Sequence, residues 1–91
     1  MNAVLLNAKD NVAVALCALS KGDVVSVEIG SQNADVHVLE PIPYQHKIAV
    51  IDIREGSDVI KYGESIGKAV AGVSAGAHVH THNMKGIRAK S

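Results

Sequence analysis

The chain has no tryptophan and no phenylalanine, and its only phenolic rings are Tyr44 and Tyr62. A core of large aromatic side chains is therefore excluded. Its apolar content comes instead from Val, Ile, Ala and Leu. β-Branched side chains are stiff in helices and fit pleated strands, so the composition points to an all-β domain. The single cysteine, Cys17, excludes an internal disulfide. Sitting in the apolar run of residues 12–19, it reads as a buried small hydrophobe and not as a reactive thiol. No apolar stretch approaches the ~20 residues that span a bilayer. The N-terminus shows no basic region followed by an apolar stretch of signal-peptide length, and a reducing, cytoplasmic setting is expected. Excess charge is missing as well, since nine Lys and Arg balance nine Asp and Glu. Without clustered basic residues, binding to nucleic acid or to a membrane surface is not expected. The one basic bias, Lys85, Arg88 and Lys90, reads as a solvated tail. Neither a P-loop nor a G-x-G-x-x-G fingerprint occurs. Ninety-one residues make one small domain, residues 1–91, that buries roughly 60–65% of its unfolded surface.

What is present is a series of short strands punctuated by glycine. Residues 12–19 fit either a helix or a buried strand. After the turn Lys21-Gly22-Asp23, Val25, Val27 and Ile29 alternate with Ser26 and Glu28, the pattern of a half-buried strand. Residues 30–35 read as a polar loop, and Pro41-Ile42-Pro43 as a boundary or edge strand, because each proline removes a donor and restricts its predecessor. Residues 48–53 and 59–62 read as further strands. A unit of apolar residue, two small or polar residues, glycine and then valine recurs at 19–25, 53–59 and 73–79. Its glycines mark turns that need positive φ. The spacings between units are unequal, so this is a compact bent β-domain and not a solenoid.

Chemistry is most legible in His78-Val79-His80-Thr81-His82-Asn83. On a regular strand, residues i, i+2 and i+4 share a face, which would project His78, His80 and His82 together as metal ligands, with Asn83 as a polar ligand or substrate contact. Imidazole suits iron, zinc, nickel and copper, and added oxygen ligands favour manganese or iron. The plain alternative is a solvent-facing strand. A second group, Tyr44-Gln45-His46-Lys47, places a base beside a cation, as carboxylate binding or proton abstraction next to a carboxylate would require; a polar strand entrance is the alternative. A third is Lys61-Tyr62-Gly63, whose lysine and tyrosine would face opposite sides unless a bulge intervenes. His37 reads as structural or exposed.

Taken together, residues 42–49, Asp52-Ile53 with Gly56, residues 59–63 with Ile66, Gly67 and Ala69, and residues 76–83 resemble the SAF-type N-terminal domain of the altronate/galactarate dehydratase family. That domain also occurs as a free-standing small subunit, in altronate dehydratase-like enzymes and in sulfolactate sulfo-lyase. The resemblance covers essentially the whole chain and is strongest from Pro41 to Asn83. It implies a β-clip fold and a large catalytic subunit as partner. The implied reaction is elimination of water, or sulfite, from a 2-hydroxy acid such as a sugar acid. With it come the expectations of a divalent cofactor, Fe2+ or Mn2+, held by His78, His80 and His82. His46, Lys47 and Lys61 would be catalytic, and Tyr62 and Asn83 would contact substrate. Gln45 departs from the family pattern, which has glycine there, so the loop before His46 is expected to bend differently. Ala77 stands where an acidic residue is common. A non-catalytic carbohydrate-binding or chaperone-like SAF module is the rival reading, and a metal-storage domain a third. In isolation the small core and open strand edges favour self-association.

Overall fold

The computed structural model describes residues 2–29 and 32–86. Among these there is no helix. Nine strands form three antiparallel sheets: β1 (Ala3–Val4), β2 (Val12–Ala15), β3 (Val24–Ile29), β4 (Gln32–His37), β5 (Lys47–Ala49), β6 (Asp58–Lys61), β7 (Glu64–Ala69), β8 (His78–Val79) and β9 (Met84–Gly86). The central sheet runs β1-β2-β5-β8, flanked by the hairpin β3-β4 and by a sheet in the order β6-β7-β9. No helix of the described chain is long and apolar enough to cross a membrane.

The central sheet is buried on both faces, and the period-2 alternation of strands decides which residue serves which core. Ala13, Ala15 and Ile48 pack with Leu19, Val25, Val27, Val36 and Val38 on the side of the β3-β4 hairpin. Their strand neighbours Val12, Ala49 and Val79 pack with Ile53, Val59, Ala69 and Val73 on the side of β6-β7-β9. A strand apolar on both faces shows no alternation, which explains why residues 12–19 read ambiguously as helix or strand. Cys17 is exposed, contrary to the expectation of burial. β2 ends at Ala15, and the cysteine lies beyond it in the bend toward Leu19. The segment expected to be a polar loop is also strand from Gln32 onward, with register pairs Val25↔Val36, Val27↔Ala34 and Glu28↔Asn33. Its polar side chains Asn33 and Asp35 occupy the exposed face while Val36 is buried, so polarity there marks a face and not a loop. Of the expected basic tail, Lys85 lies in β9, whereas Arg88 and Lys90 fall outside the described residues.

Among the described residues the glycine unit recurs as expected, and a fourth turn of the same form lacks the glycine. Leu19 and Ile42 form one isolated antiparallel bridge, Ile53 and Val73 another. Each bridge residue is followed by a two-residue turn and then a strand. Three of the turns carry Gly22, Gly56 and Gly76 at φ 95, 84 and 94°. The fourth carries Gln45 at φ 69°. The loop before His46 therefore keeps the same left-handed turn without the glycine, instead of bending differently. A left-handed non-glycine residue costs roughly 1–2 kcal/mol, partly offset by the extra chain entropy glycine loses on folding. Gln45→Gly is accordingly expected to raise stability by about 0.5–1 kcal/mol, seen as a higher urea midpoint at an unchanged m-value. An unchanged or lower midpoint would show that the Gln45 side chain, which reaches Tyr44 Oη at 3.4 Å, compensates its backbone.

A candidate metal centre of three histidines

The register between β5 and β8 pairs Lys47 with Val79 and Ile48 with His78. Continued one residue outward, it sets His46 opposite His80. Side chains of directly opposed residues meet across antiparallel strands, and the His46 and His80 rings stack with centroids 4.1 Å apart and planes at 21°. His78, two residues back along its strand, shares that face. Its Nε2 lies 2.9 Å from His46 Nδ1 in a hydrogen bond that requires one nitrogen to carry a proton and the other to accept. One ring nitrogen from each of His46, His78 and His80 lies within 4.8 Å of the others. Two bonds of about 2.0–2.1 Å to one ion hold ligand nitrogens about 3–4 Å apart, so a cluster of this size suits a single cation.

His82 does not join this group. The strand expected to carry three histidines ends at Val79, and residues 81–83 form a turn before β9. The side-chain period of 2 is therefore lost after His80. His82 is exposed, its ring tilted against that of His78 at a centroid distance of 5.1 Å. Asn83 shapes the turn: its Oδ1 accepts the His80 N–H at 2.9 Å, its Nδ2 donates to the His78 carbonyl at 2.7 Å, and its own N–H donates to the His80 carbonyl at 3.1 Å. Both ends of the amide are thus engaged with backbone, where the sequence suggested contact with a ligand.

Burial lowers the pKa of His78 first, followed by the neighbouring imidazoles His46, His82 and His80, with the Glu40 carboxylate opposing. His80 is lowered likewise, by desolvation, then His46, Lys47 and His82. Both rings are held toward the neutral form, the form that binds metals. His80 Nδ1 is buried with no hydrogen-bond partner, an uncommon state for a polar atom. Three imidazoles, one with an orphaned nitrogen, fit a divalent transition metal. The donor set is all nitrogen, which suits iron better than manganese unless oxygen ligands come from elsewhere.

Lys47, although adjacent to His46, turns to the opposite face of β5 together with its partner Val79. There it is half-buried, and its pKa is lowered by desolvation and then by the charge of Lys61. Lys61 ends β6, after a register shift between Val59 and Ile60. Tyr62 follows at φ 61°, 70% exposed. The Lys61-Tyr62-Gly63 turn is anchored by Asp10, a residue the sequence reading passed over. The buried Asp10 carboxylate accepts the N–H groups of Tyr62 and Gly63 at 2.9 and 2.8 Å. Asn11 extends the tie, accepting the Ile60 N–H at 2.8 Å and donating to the Asp58 carbonyl at 2.9 Å. Nothing in the sequence separates these two from ordinary loop residues, since their partners lie about fifty positions away.

A second residue absent from the sequence reading is Glu40, whose Oε2 accepts the His78 backbone N–H at 3.0 Å. Within the cluster the Glu40 carboxylate thus acts on His78 and the Lys47 charge on His80.

The described chain is a small antiparallel β-domain that brings three imidazoles together at the β5-β8 edge. The chain belongs to the altronate/galactarate dehydratase SAF domain family, whose model matches residues 1–86. It is 45% identical over 85 residues to altronate dehydratase of Escherichia coli (strain K12), an alignment spanning 93% of this chain and 16% of that protein. Identity to the altronate dehydratase of Bacillus subtilis (strain 168) is 34% over 82 residues, again 16% of the longer protein. The (2R)-sulfolactate sulfo-lyase subunit alpha of Paracoccus pantotrophus is 44% identical over 59 residues, 63% of this chain and 88% of that subunit. The chain thus corresponds to about one sixth of the length of the dehydratases it matches.

Proposed function

We propose that this chain is the small component of a metal-dependent lyase. It would act with a separate large catalytic subunit to eliminate water from a sugar acid of the altronate type, giving a 2-keto-3-deoxy acid. The observation that carries the reading is the gathering of His46, His78 and His80 around one point. Support for the reaction class comes from relatives named as dehydratases and as a sulfo-lyase subunit. Support for a divided active site comes from the name of the second, one subunit of its enzyme. Sulfite elimination from a sulfo acid is the variant of the same reading.

A divalent cation, Fe2+ or Mn2+, would be held by His46, His78 and His80 and would supply Lewis acidity to the substrate's oxygens as negative charge builds next to the carboxylate. The other work of this chain is positional. Asn83 and the β5-β8 register fix the three rings, and Asp10 fixes the turn that carries Lys61. Lys61 would attract the carboxylate, while burial, and then the charge of Lys61, keep Lys47 easier to deprotonate than a free lysine. Lys47 is therefore this chain's candidate to receive the α-proton as the electron pair moves to form the C=C bond. The β-hydroxyl leaves with a proton as water, and the enol tautomerises to the keto acid. Tyr62, exposed on its turn, would contact the substrate.

The test is co-purification of the tagged chain from its source organism, with metal analysis and assay of altronate, galactarate and sulfolactate. A larger dehydratase-type partner, bound iron or manganese, and formation of a 2-keto-3-deoxy acid (or release of sulfite) are expected. A chain recovered without partner or metal would overturn the reading in favour of a non-catalytic binding module.

A further inference from the structure

Glu40 stands apart from the groups considered so far. It is half-buried, it precedes Pro41 in the segment leading to the Ile42 bridge, and its Oε2 is fixed on the His78 N–H at 3.0 Å. We infer that Glu40 is a positioning and charge-compensating residue for a cation held by His46, His78 and His80, setting the affinity of the cluster without ligating the ion. The inference rests on the metal-centre reading above and adds a residue to it.

The geometry supports the role in two ways. First, the bond from carboxylate to backbone ties the start of β8, and so the ring of His78, to the segment before Ile42. β8 is only two residues long and lies at the edge of its sheet. An edge strand so short has little ladder to hold it, and Glu40 supplies one of its few fixed points. Second, the three donors are neutral when they bind, so a dication would bring two uncompensated positive charges to a cluster on which the Lys47 charge already acts. The Glu40 carboxylate, held on the His78 N–H, acts on that ring of the cluster. A fixed negative charge just outside the ligand shell stabilises a cation there and repels nothing in the shell. Outer groups of this kind typically change metal affinity by about 10–100-fold.

Glu40→Gln separates the two contributions. The amide oxygen can still accept the His78 N–H, while the charge is gone. Cobalt(II) alone, titrated into the full chain and followed by its visible d–d bands, gives both the affinity and the coordination symmetry. Glu40→Gln is expected to bind cobalt(II) about tenfold more weakly than the parent with the same band shape. Glu40→Ala is expected to bind more weakly again, with a shifted band as His78 loses its tether. Thermal melts of the metal-free proteins control for folding, and Glu40→Asp is expected to recover part of the affinity. Equal affinity in the parent and Glu40→Gln, with both folded, would overturn the role of Glu40 while leaving the metal centre intact. Failure of the parent itself to bind cobalt(II) would remove the metal-centre reading, and this inference with it.

Discussion

Gly76→Ala is expected to cost about 2–5 kcal/mol, a large share of the stability of a domain this small. Two effects add. Gly76 has φ 94°, where a side chain costs roughly 1–2 kcal/mol. A Cβ there would also lie 1.9 Å from the His37 carbonyl oxygen and 3.1 Å from its carbon. That oxygen is backbone and cannot rotate away, so the turn must separate from the end of β4, and forced overpacking adds about 1–3 kcal/mol. The displacement would strain the bond from the Leu39 N–H to the Gly76 carbonyl at 2.9 Å and that from the Gly76 N–H to the Ala49 carbonyl at 2.7 Å. Both hold the base of β8. At ~0.05–0.15 kcal/mol per residue, a chain of this length has only about 5–14 kcal/mol to lose. Gly72→Ala is the matched control: a Cβ there meets nothing within 4 Å, and its effect should stay within about 0.5 kcal/mol. Urea unfolding followed by circular dichroism measures both. A Gly76→Ala protein as stable as the parent would mean that the turn relaxes far more cheaply than this packing allows.

His46→Ala is expected to abolish cation binding at the histidine cluster, with at least a hundredfold loss of affinity for cobalt(II), whereas His82→Ala should change it less than tenfold. The sequence alone ranks these two the other way, because the run His78-Val79-His80-Thr81-His82 invites a single strand with three aligned rings. The structure breaks that alignment with the turn at residues 81–83 and substitutes His46 from across the sheet. Removing one of three protein donors is a larger loss than changing a group outside the ligand shell, for which 10–100-fold is usual. Equilibrium dialysis of the two variants, each checked for folding, decides the matter. Equal losses would restore His82 to the ligand set and require residues 81–83 to rearrange on metal binding.

The same contrast runs through the rest of the protein. By itself, the sequence determined what depends on neighbours along the chain. Absent aromatics and abundant valine and isoleucine set the all-β class; alternation at Val25 and Val27 set a strand with one buried face. Gly22, Gly56 and Gly76 marked turns because only glycine takes positive φ without strain. The fourth turn stayed hidden because Gln45 carries no such mark, and residues 32–35 because an exposed face of a strand is as polar as a loop. Local pattern also named His46, Lys47, Lys61, His78 and His80 as the residues with chemistry to offer, without saying which of them meet.

Tertiary structure alone decided the groupings. Antiparallel register set His46 opposite His80 and sent Lys47, one residue on, to the other face beside Lys61. The packing of the loop before β2 against the β6-β7 turn gave Asp10 its role, and the tie to His78 gave Glu40 its own. The contacts of His46 with His80, Asp10 with Tyr62 and Glu40 with His78 join residues more than thirty positions apart, and each depends on a register in which a slip of one residue would reverse every face. A register is fixed by the burial of both cores at once, Ile48 on one side and Ala49 on the other, and that condition cannot be evaluated from either strand alone.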